Sequence, residues 1–196
     1  MEIARYGPVV VGWSERAMPG APTARRAGDD LLRALVREVG GRADAGISRL
    51  CPECGSHEHG VPRVAREPIA VSLSYTGSLT VGAAVREEHA ASVGIDVEPA
   101  DRDIGDLAAL FEPAPAPDLT GWTRIEAVLK ATGRGIRIAP STVVLEARPG
   151  PLPNSLRTTS PPGFVVTTLD RPSGFVVSLA VAEGSRWQLS GAPPRR

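Results

Sequence analysis

Val93-Gly94-Ile95-Asp96-Val97-Glu98 lies in a segment, Ala91 to Glu98, that reads as a β-strand. Side chains alternate along a strand, so Asp96 and Glu98 project from one face about 7 Å apart. Two carboxylates sharing a face repel each other unless a cation or the solvent absorbs the charge. Hard oxygen ligands placed together suit Mg²⁺, which keeps several waters and commonly binds a substrate phosphate. The plain alternative is a solvated strand end.

Elements of both kinds surround this strand. Ile3 to Trp13 reads as a strand, and Pro19 to Thr23 as a loop. Ala27 to Val39 sets Leu31, Leu32, Leu35, Val36 and Val39 at helical spacing, closed by Gly40-Gly41. Ile69 to Leu73 and Leu79 to Val85 read as strands around the turn Tyr75-Thr76-Gly77-Ser78. Beyond the central strand come a short helix near Ile104 to Leu110, a stiff proline spacer over Pro113 to Pro117, and a helix capped by Asp118 or Thr120 that runs to Thr132. The remainder is β: Thr142 to Glu146, Phe164 to Leu169, Phe175 to Ala182 and Trp187 to Leu189. Asp170 to Gly174 marks a hairpin, and the proline-rich stretch Arg148 to Gly163 reads as a mobile loop. The order helix, strands, strand, helix, strands repeats near residue 90. The expected fold class is α+β, with similar lobes over 1–90 and 91–190 and a tail over 191–196.

Composition narrows the function classes. The 196 residues carry 22 basic and 22 acidic side chains, and a zero net charge argues against nucleic acid or an anionic membrane as the main partner. The apolar run Val9-Val10-Val11 is far too short for a signal-peptide core or a membrane span, so a cytoplasmic protein is expected. Lys130 is the only lysine; every other basic residue is arginine.

That lysine closes the stretch Trp122-Thr123-Arg124-Ile125-Glu126-Ala127-Val128-Leu129-Lys130. Glu126 and Lys130 are four residues apart, glutamate first, and share a helix face in the favourable orientation. An exposed pair of this kind contributes only about 0.3–0.5 kcal/mol, which does not explain why the sole lysine stands there.

Gly94-Ile95-Asp96-Val97-Glu98 followed by Trp122-x-x-x-Glu126-x-x-x-Lys130-x-x-Gly133-x-Gly135 resembles the signature of the 4′-phosphopantetheinyl transferases of the surfactin-synthetase-activating type. Further matches are Gly28-Asp29-x-Leu31-x-Arg33, His59-Gly60-x-Pro62, Ser72-Leu73-Ser74 and the late run Gly174 to Ala182. The resemblance covers about residues 24 to 182, in the family's order. It implies two α+β lobes in a pseudo-two-fold arrangement with the active site between them. The implied reaction moves 4′-phosphopantetheine from coenzyme A to a serine of an acyl or peptidyl carrier protein in a biosynthetic pathway. The resemblance assigns Asp96, Glu98 and Glu126 to Mg²⁺, Glu126 also to activation of the serine, and Lys130 to charge neutralisation on the pyrophosphate. A monomer is expected.

The chain departs from the family pattern where coenzyme A phosphates are held. Ile125 and Val61 stand where the family has basic residues, and Tyr75 where it has histidine. Arg25, Arg26, Arg63, Arg66 and Arg124 lie close in sequence to those positions, and a guanidinium grips phosphate well. Arg25, Arg63, Ser74, Tyr75 and Lys130 are therefore the expected coenzyme A contacts. Two other readings stay open: a tailoring enzyme acting on another substrate, and an inactive accessory subunit that binds a carrier protein.

Cys51-Pro52-Glu53-Cys54-Gly55-Ser56-His57-Glu58-His59 offers four ligands suited to structural Zn²⁺: Cys51, Cys54, His57 and His59. Structural zinc sites usually draw their second ligand pair from farther along the chain, so a tight loop with reduced thiols is the plainer expectation.

Overall fold

Ile3 to Trp13 is not one strand. Gly7, with φ of 62°, turns the chain and divides it into β1 (Glu2–Tyr6) and β2 (Val9–Glu15), paired in register from Tyr6↔Val9 to Glu2↔Trp13. Alternation had hidden this break, because both halves are strand-like. The structure, a computed structural model, describes residues 1–15, 24–51, 54–57, 60–77, 79–148, 152 and 154–184. The expected loop Pro19 to Thr23 and strand Trp187 to Leu189 lie outside them.

The fold is mixed α and β and dominated by sheet. β5 (Ile69–Tyr75) and β6 (Leu79–Arg86) join the first hairpin in a four-stranded antiparallel sheet of order β1-β2-β6-β5 once β3 (Ile47–Arg49) and β4 (Pro62–Val64) have paired as a separate ribbon. Helix α1 (Ala24–Glu38) covers this sheet with Leu31, Leu32, Leu35 and Val36, all essentially fully buried. Gly12 and Gly82 face each other in the register, and a β-carbon at Gly12 would lie 2.8 Å from Leu35 Cδ2. The two glycines thus open the shallow seat in which the helix leucines rest.

The second sheet has the order β7-β11-β10-β9-β8, with β7 (Val93–Pro99), β8 (Val144–Ala147), β9 (Leu156–Ser160), β10 (Pro162–Leu169) and β11 (Phe175–Ala182). β9 corrects the expectation of a mobile loop from Arg148 to Gly163. Its Leu-Arg-Thr-Thr-Ser is strand-forming, and it gains a partner on each side, Ala147↔Leu156 and Val165↔Arg157. Prolines flank the strand rather than interrupt it. The short element near Ile104 is a 3₁₀ helix, Gly105–Leu110.

Helix α2 (Leu119–Ala131) lies on the second sheet. Asp118 caps it by accepting the Gly121 N–H at 2.7 Å, and Gly133, at φ 69°, ends it. Gly94 sets the closeness of the contact with β7. A β-carbon there would come within 2.0 Å of the Ala127 carbonyl oxygen and 2.5 Å of the Ala131 nitrogen. Trp122 is buried, edge-on to Phe111 at a centroid distance of 6.2 Å.

One apolar core is shared by the sheets, Val9, Val11, Leu79 and Val81 from the first meeting Ile95, Val97, Val177 and Leu179 from the second. At one border the outer strands β5 and β7 run side by side without a backbone ladder. Ser72 Oγ accepts the Ile95 N–H at 3.1 Å, and Ser74 Oγ accepts the Val97 N–H at 3.3 Å. Two hydroxyls on one face of β5 thereby satisfy the edge donors of β7, which would otherwise be buried without partners. Among the described residues, no helix is long and apolar enough to cross a membrane.

Candidate active site

The alternation of β7 places Asp96 where the two sheet edges meet. The residue is 4% exposed. Oδ1 accepts from Lys130 Nζ at 2.6 Å and from the Ser74 hydroxyl at 2.9 Å, and Lys130 Nζ also donates to Ser74 Oγ at 2.9 Å. A serine hydroxyl has one proton and two lone pairs. Ser74 gives its proton to Asp96 and accepts from Lys130 and Val97, so its hydrogen-bonding capacity is filled inside the protein. In this arrangement it fixes Asp96 and Lys130 rather than presenting a free group to a ligand.

Lys130 does not form the intrahelical ion pair with Glu126 that the i,i+4 spacing allows. Its ammonium reaches across to β7, because Gly94 lets α2 settle against the strand and Asp96 is the more deeply buried anion. Glu126, partly buried on the same helix face, holds its proton more tightly than an ordinary glutamate. Burial is the main cause and the negative charge of Asp96 the second, with Glu98 adding to it and Lys130 and Arg102 opposing. Glu98 is shifted the same way, first by burial and then by Asp96, while its ion pair with Arg102 pulls it back. The negative charge of Asp96 thus contributes to the raised proton affinity of both glutamates.

Magnesium commonly takes one or two protein carboxylates and completes its shell with waters and substrate phosphate. Asp96 Oδ2 is buried with no hydrogen-bond partner and is the open oxygen of the group. Among the described residues, no three His, Cys, Asp or Glu side chains gather into a set that could hold a metal. Asp96, Glu98 and Glu126, the expected magnesium ligands, do not form such a set in this arrangement, and Glu98 is engaged by Arg102.

A cleft of about 320 Å³ opens next to this cluster, lined by Arg63, Glu67, Glu87, Ser92, Lys130 and Thr132 among others. Lys130 belongs to both places, its side chain on the cleft and its ammonium on Asp96. Of the expected coenzyme A contacts, Arg63 and Lys130 face this cleft, and Ser74 touches Lys130. Tyr75 and Arg25 do not line it. Tyr75 lies over α1, its hydroxyl so near Gly28 that a β-carbon there would be 2.2 Å away, and Arg25, three residues earlier on α1, donates to the His57 carbonyl oxygen at 2.6 Å.

That carbonyl belongs to the cysteine segment. His57 Nδ1 lies 2.9 Å from the Arg49 carbonyl oxygen, and Arg49 is packed against Asp29 of α1 with a 2.6 Å contact between their charged groups. Cys51 is buried and Cys54 is exposed. Cys51, Cys54 and His57 do not gather into a metal-holding group. His59 lies outside the described residues.

Two polar groups that matter here were not evident from sequence. Ser72 was visible only as part of a motif, and its service to the Ile95 N–H depends on which strands become neighbours. Arg102 follows the end of β7, where neither strand nor helix periodicity says which way a side chain turns. No protein-family model matches the chain, and no curated protein matches it.

Proposed function

We propose that the protein is a Mg²⁺-dependent 4′-phosphopantetheinyl transferase that modifies a serine of an acyl or peptidyl carrier protein, using coenzyme A. The observation that supports this reading best is the placement of the only lysine. It lies in hydrogen-bond contact with a buried strand aspartate, one helical turn from a glutamate of raised proton affinity, and on the wall of a cleft. Phosphoryl transfer requires a cation, a metal carboxylate and a proton acceptor brought together in this way.

In this reading the two sheets, each with its helix, are two lobes related by a pseudo-two-fold, and the reaction occurs between them. Mg²⁺ held by Asp96, Glu98 and Glu126 would require these side chains to draw together, and when bound it would neutralise charge on the pyrophosphate. The carrier serine oxygen attacks the β-phosphorus of coenzyme A, the bond to the bridging oxygen breaks, and adenosine 3′,5′-bisphosphate leaves. Glu126 accepts the serine proton, a task for which a carboxylate of raised proton affinity is better suited than an ordinary one. Lys130 places positive charge beside the departing phosphate, and Arg63 meets phosphate at the other wall of the cleft.

Calorimetric titration of coenzyme A and of 3′-dephospho-coenzyme A into the wild type and Arg63→Ala tests the cleft assignment. Binding of coenzyme A that weakens on losing either the 3′-phosphate or Arg63 supports it. No binding of either nucleotide at millimolar concentration would remove the transferase reading.

A further inference from the structure

The cysteine segment lies outside the proposed chemistry, and its two thiols are the only ones in the chain. The Gly55 N–H donates to the Cys51 carbonyl oxygen at 2.9 Å, the closing bond of a single helical turn, and the Cys51 N–H donates to the Ser56 carbonyl oxygen at 2.9 Å. Such a turn brings side chains three residues apart to about 5–6 Å, so Cys51 and Cys54 come within reach of a disulfide once the outer side chain swings inward. The chain returns to the base of the loop at Gly60, whose φ is 115°. A β-carbon there would lie 2.8 Å from the Leu50 carbonyl and 3.0 Å from the Cys51 nitrogen. The loop is therefore closed by backbone contacts before any covalent link is made, and a disulfide would tighten a turn that already exists.

The two sulfurs differ in access. Cys51 is 8% exposed, whereas Cys54 is on the surface. A thiolate reacts with an external reagent only where the reagent can reach it, and a buried cysteine is slow. We propose that Cys51 and Cys54 form a thiol–disulfide exchange site for a small soluble disulfide, with Cys54 reacting first and Cys51 resolving. The Cys54 thiolate, its proton released to water, attacks one sulfur of the reagent, whose S–S bond breaks to release one thiol. Cys51 then gives up its proton and attacks Cys54 Sγ, forming the Cys51–Cys54 bond and releasing the second thiol. The reagent is reduced to two thiols and the protein loses two hydrogens. The loop is moored to its neighbours: Arg25 of α1 donates to the His57 carbonyl oxygen at 2.6 Å, and His57 Nδ1 lies 2.9 Å from the Arg49 carbonyl oxygen of β3. Oxidation therefore stiffens the segment to which the first turn of α1 is tied.

The test is incubation of the reduced full-length protein with oxidised glutathione, with and without a chelator, followed by intact-mass measurement. Wild type is expected to lose the mass of two hydrogens without retaining glutathione, and to regain it in excess reduced glutathione. Cys51→Ser should stop at a stable mixed disulfide on Cys54, because the resolving thiol is gone. Cys54→Ser should react about tenfold more slowly than Cys51→Ser, because its remaining thiol is buried. Thermal melts establish that both variants are folded. Wild type that stays reduced, or that retains glutathione as Cys51→Ser does, would overturn the exchange site. Equal rates for the two variants would overturn the order in which the thiols act. Reaction seen only in the presence of the chelator would also overturn the proposal, since a metal would then hold the thiols.

Discussion

Lys130 Nζ lies 2.6 Å from Asp96 Oδ1, joining the last turn of α2 to the middle of β7, while Ser74 of β5 bonds to both. Three elements from the two sheets and their helix thus converge on one buried carboxylate. Lys130 also lines the cleft, whereas Asp96 is buried behind it.

Removing the lysine charge leaves Asp96 buried against Ser74 alone. Lys130→Met is expected to cost about 2–3 kcal/mol, below the ~3–5 kcal/mol of a fully buried pair because the ammonium retains some exposure. Asp96→Asn in the same background should recover much of this, since the uncompensated charge is gone. Urea unfolding of the two single variants and the double variant measures the coupling. Additive losses would mean that the two groups do not stabilise one another.

Gly94→Ala tests how α2 is seated. The added methyl would meet backbone at 2.0 and 2.5 Å, and neither the Ala127 carbonyl nor the Ala131 nitrogen can give way without moving the helix. A loss of about 1–3 kcal/mol is expected from overpacking, together with loss of activity as Glu126 and Lys130 shift with α2. Unfolding midpoints and turnover of the same preparation provide the check. A variant of wild-type stability would show that the contact is not close in solution.

Glu126 is predicted to weaken the fold that carries it. Its folded proton affinity is raised above that of the unfolded chain, so its contribution to stability is complete below the ordinary glutamate value of 4.5 and is lost as pH rises through the higher folded value. At pH 7 the ionised side chain is a net cost. Glu126→Gln should therefore be more stable than wild type at pH 7, by about 0.5–2 kcal/mol, and inactive. Melting curves at pH 4 and pH 7 should show the difference shrinking on the acid side. A variant less stable than wild type at pH 7 would contradict the electrostatic account of this site.

Tyr6 joins β1 to the hairpin before β11 through a 3.1 Å hydrogen bond from its hydroxyl to Asp170 Oδ1. Burial, with the Asp170 hydrogen bond and charge, raises its phenol from 10.0 to about 12. The stability it contributes is complete below pH 10 and lost as pH rises through about 12. Ultraviolet difference titration of a Tyr75→Phe variant isolates this phenol, and ionisation near 10 would mean the link to Asp170 does not form in solution.

The sequence made legible what depends on local periodicity. The apolar face of α1 and the strand carrying Asp96 and Glu98 follow from spacing that the structure keeps, and of the two caps the sequence offered, Asp118 and Thr120, the structure uses Asp118. It concealed what depends on partners distant in the chain. β9 becomes a strand because β8 and β10 bracket it, and Lys130 turns from its own helix neighbour to Asp96 because the helix settles on Gly94. The break at Gly7 was missed for the opposite reason, since a two-residue turn leaves hardly any trace in a run of strand-forming residues.

The central claim is tested most directly by intact-mass measurement of apo carrier proteins incubated with the protein, coenzyme A and Mg²⁺. The account predicts the mass increment of one phosphopantetheine group on the carrier serine, dependent on Mg²⁺ and absent with Asp96→Ala or Glu126→Ala of unchanged fold. An unmodified panel of acyl and peptidyl carriers, or full modification by either variant, would contradict it.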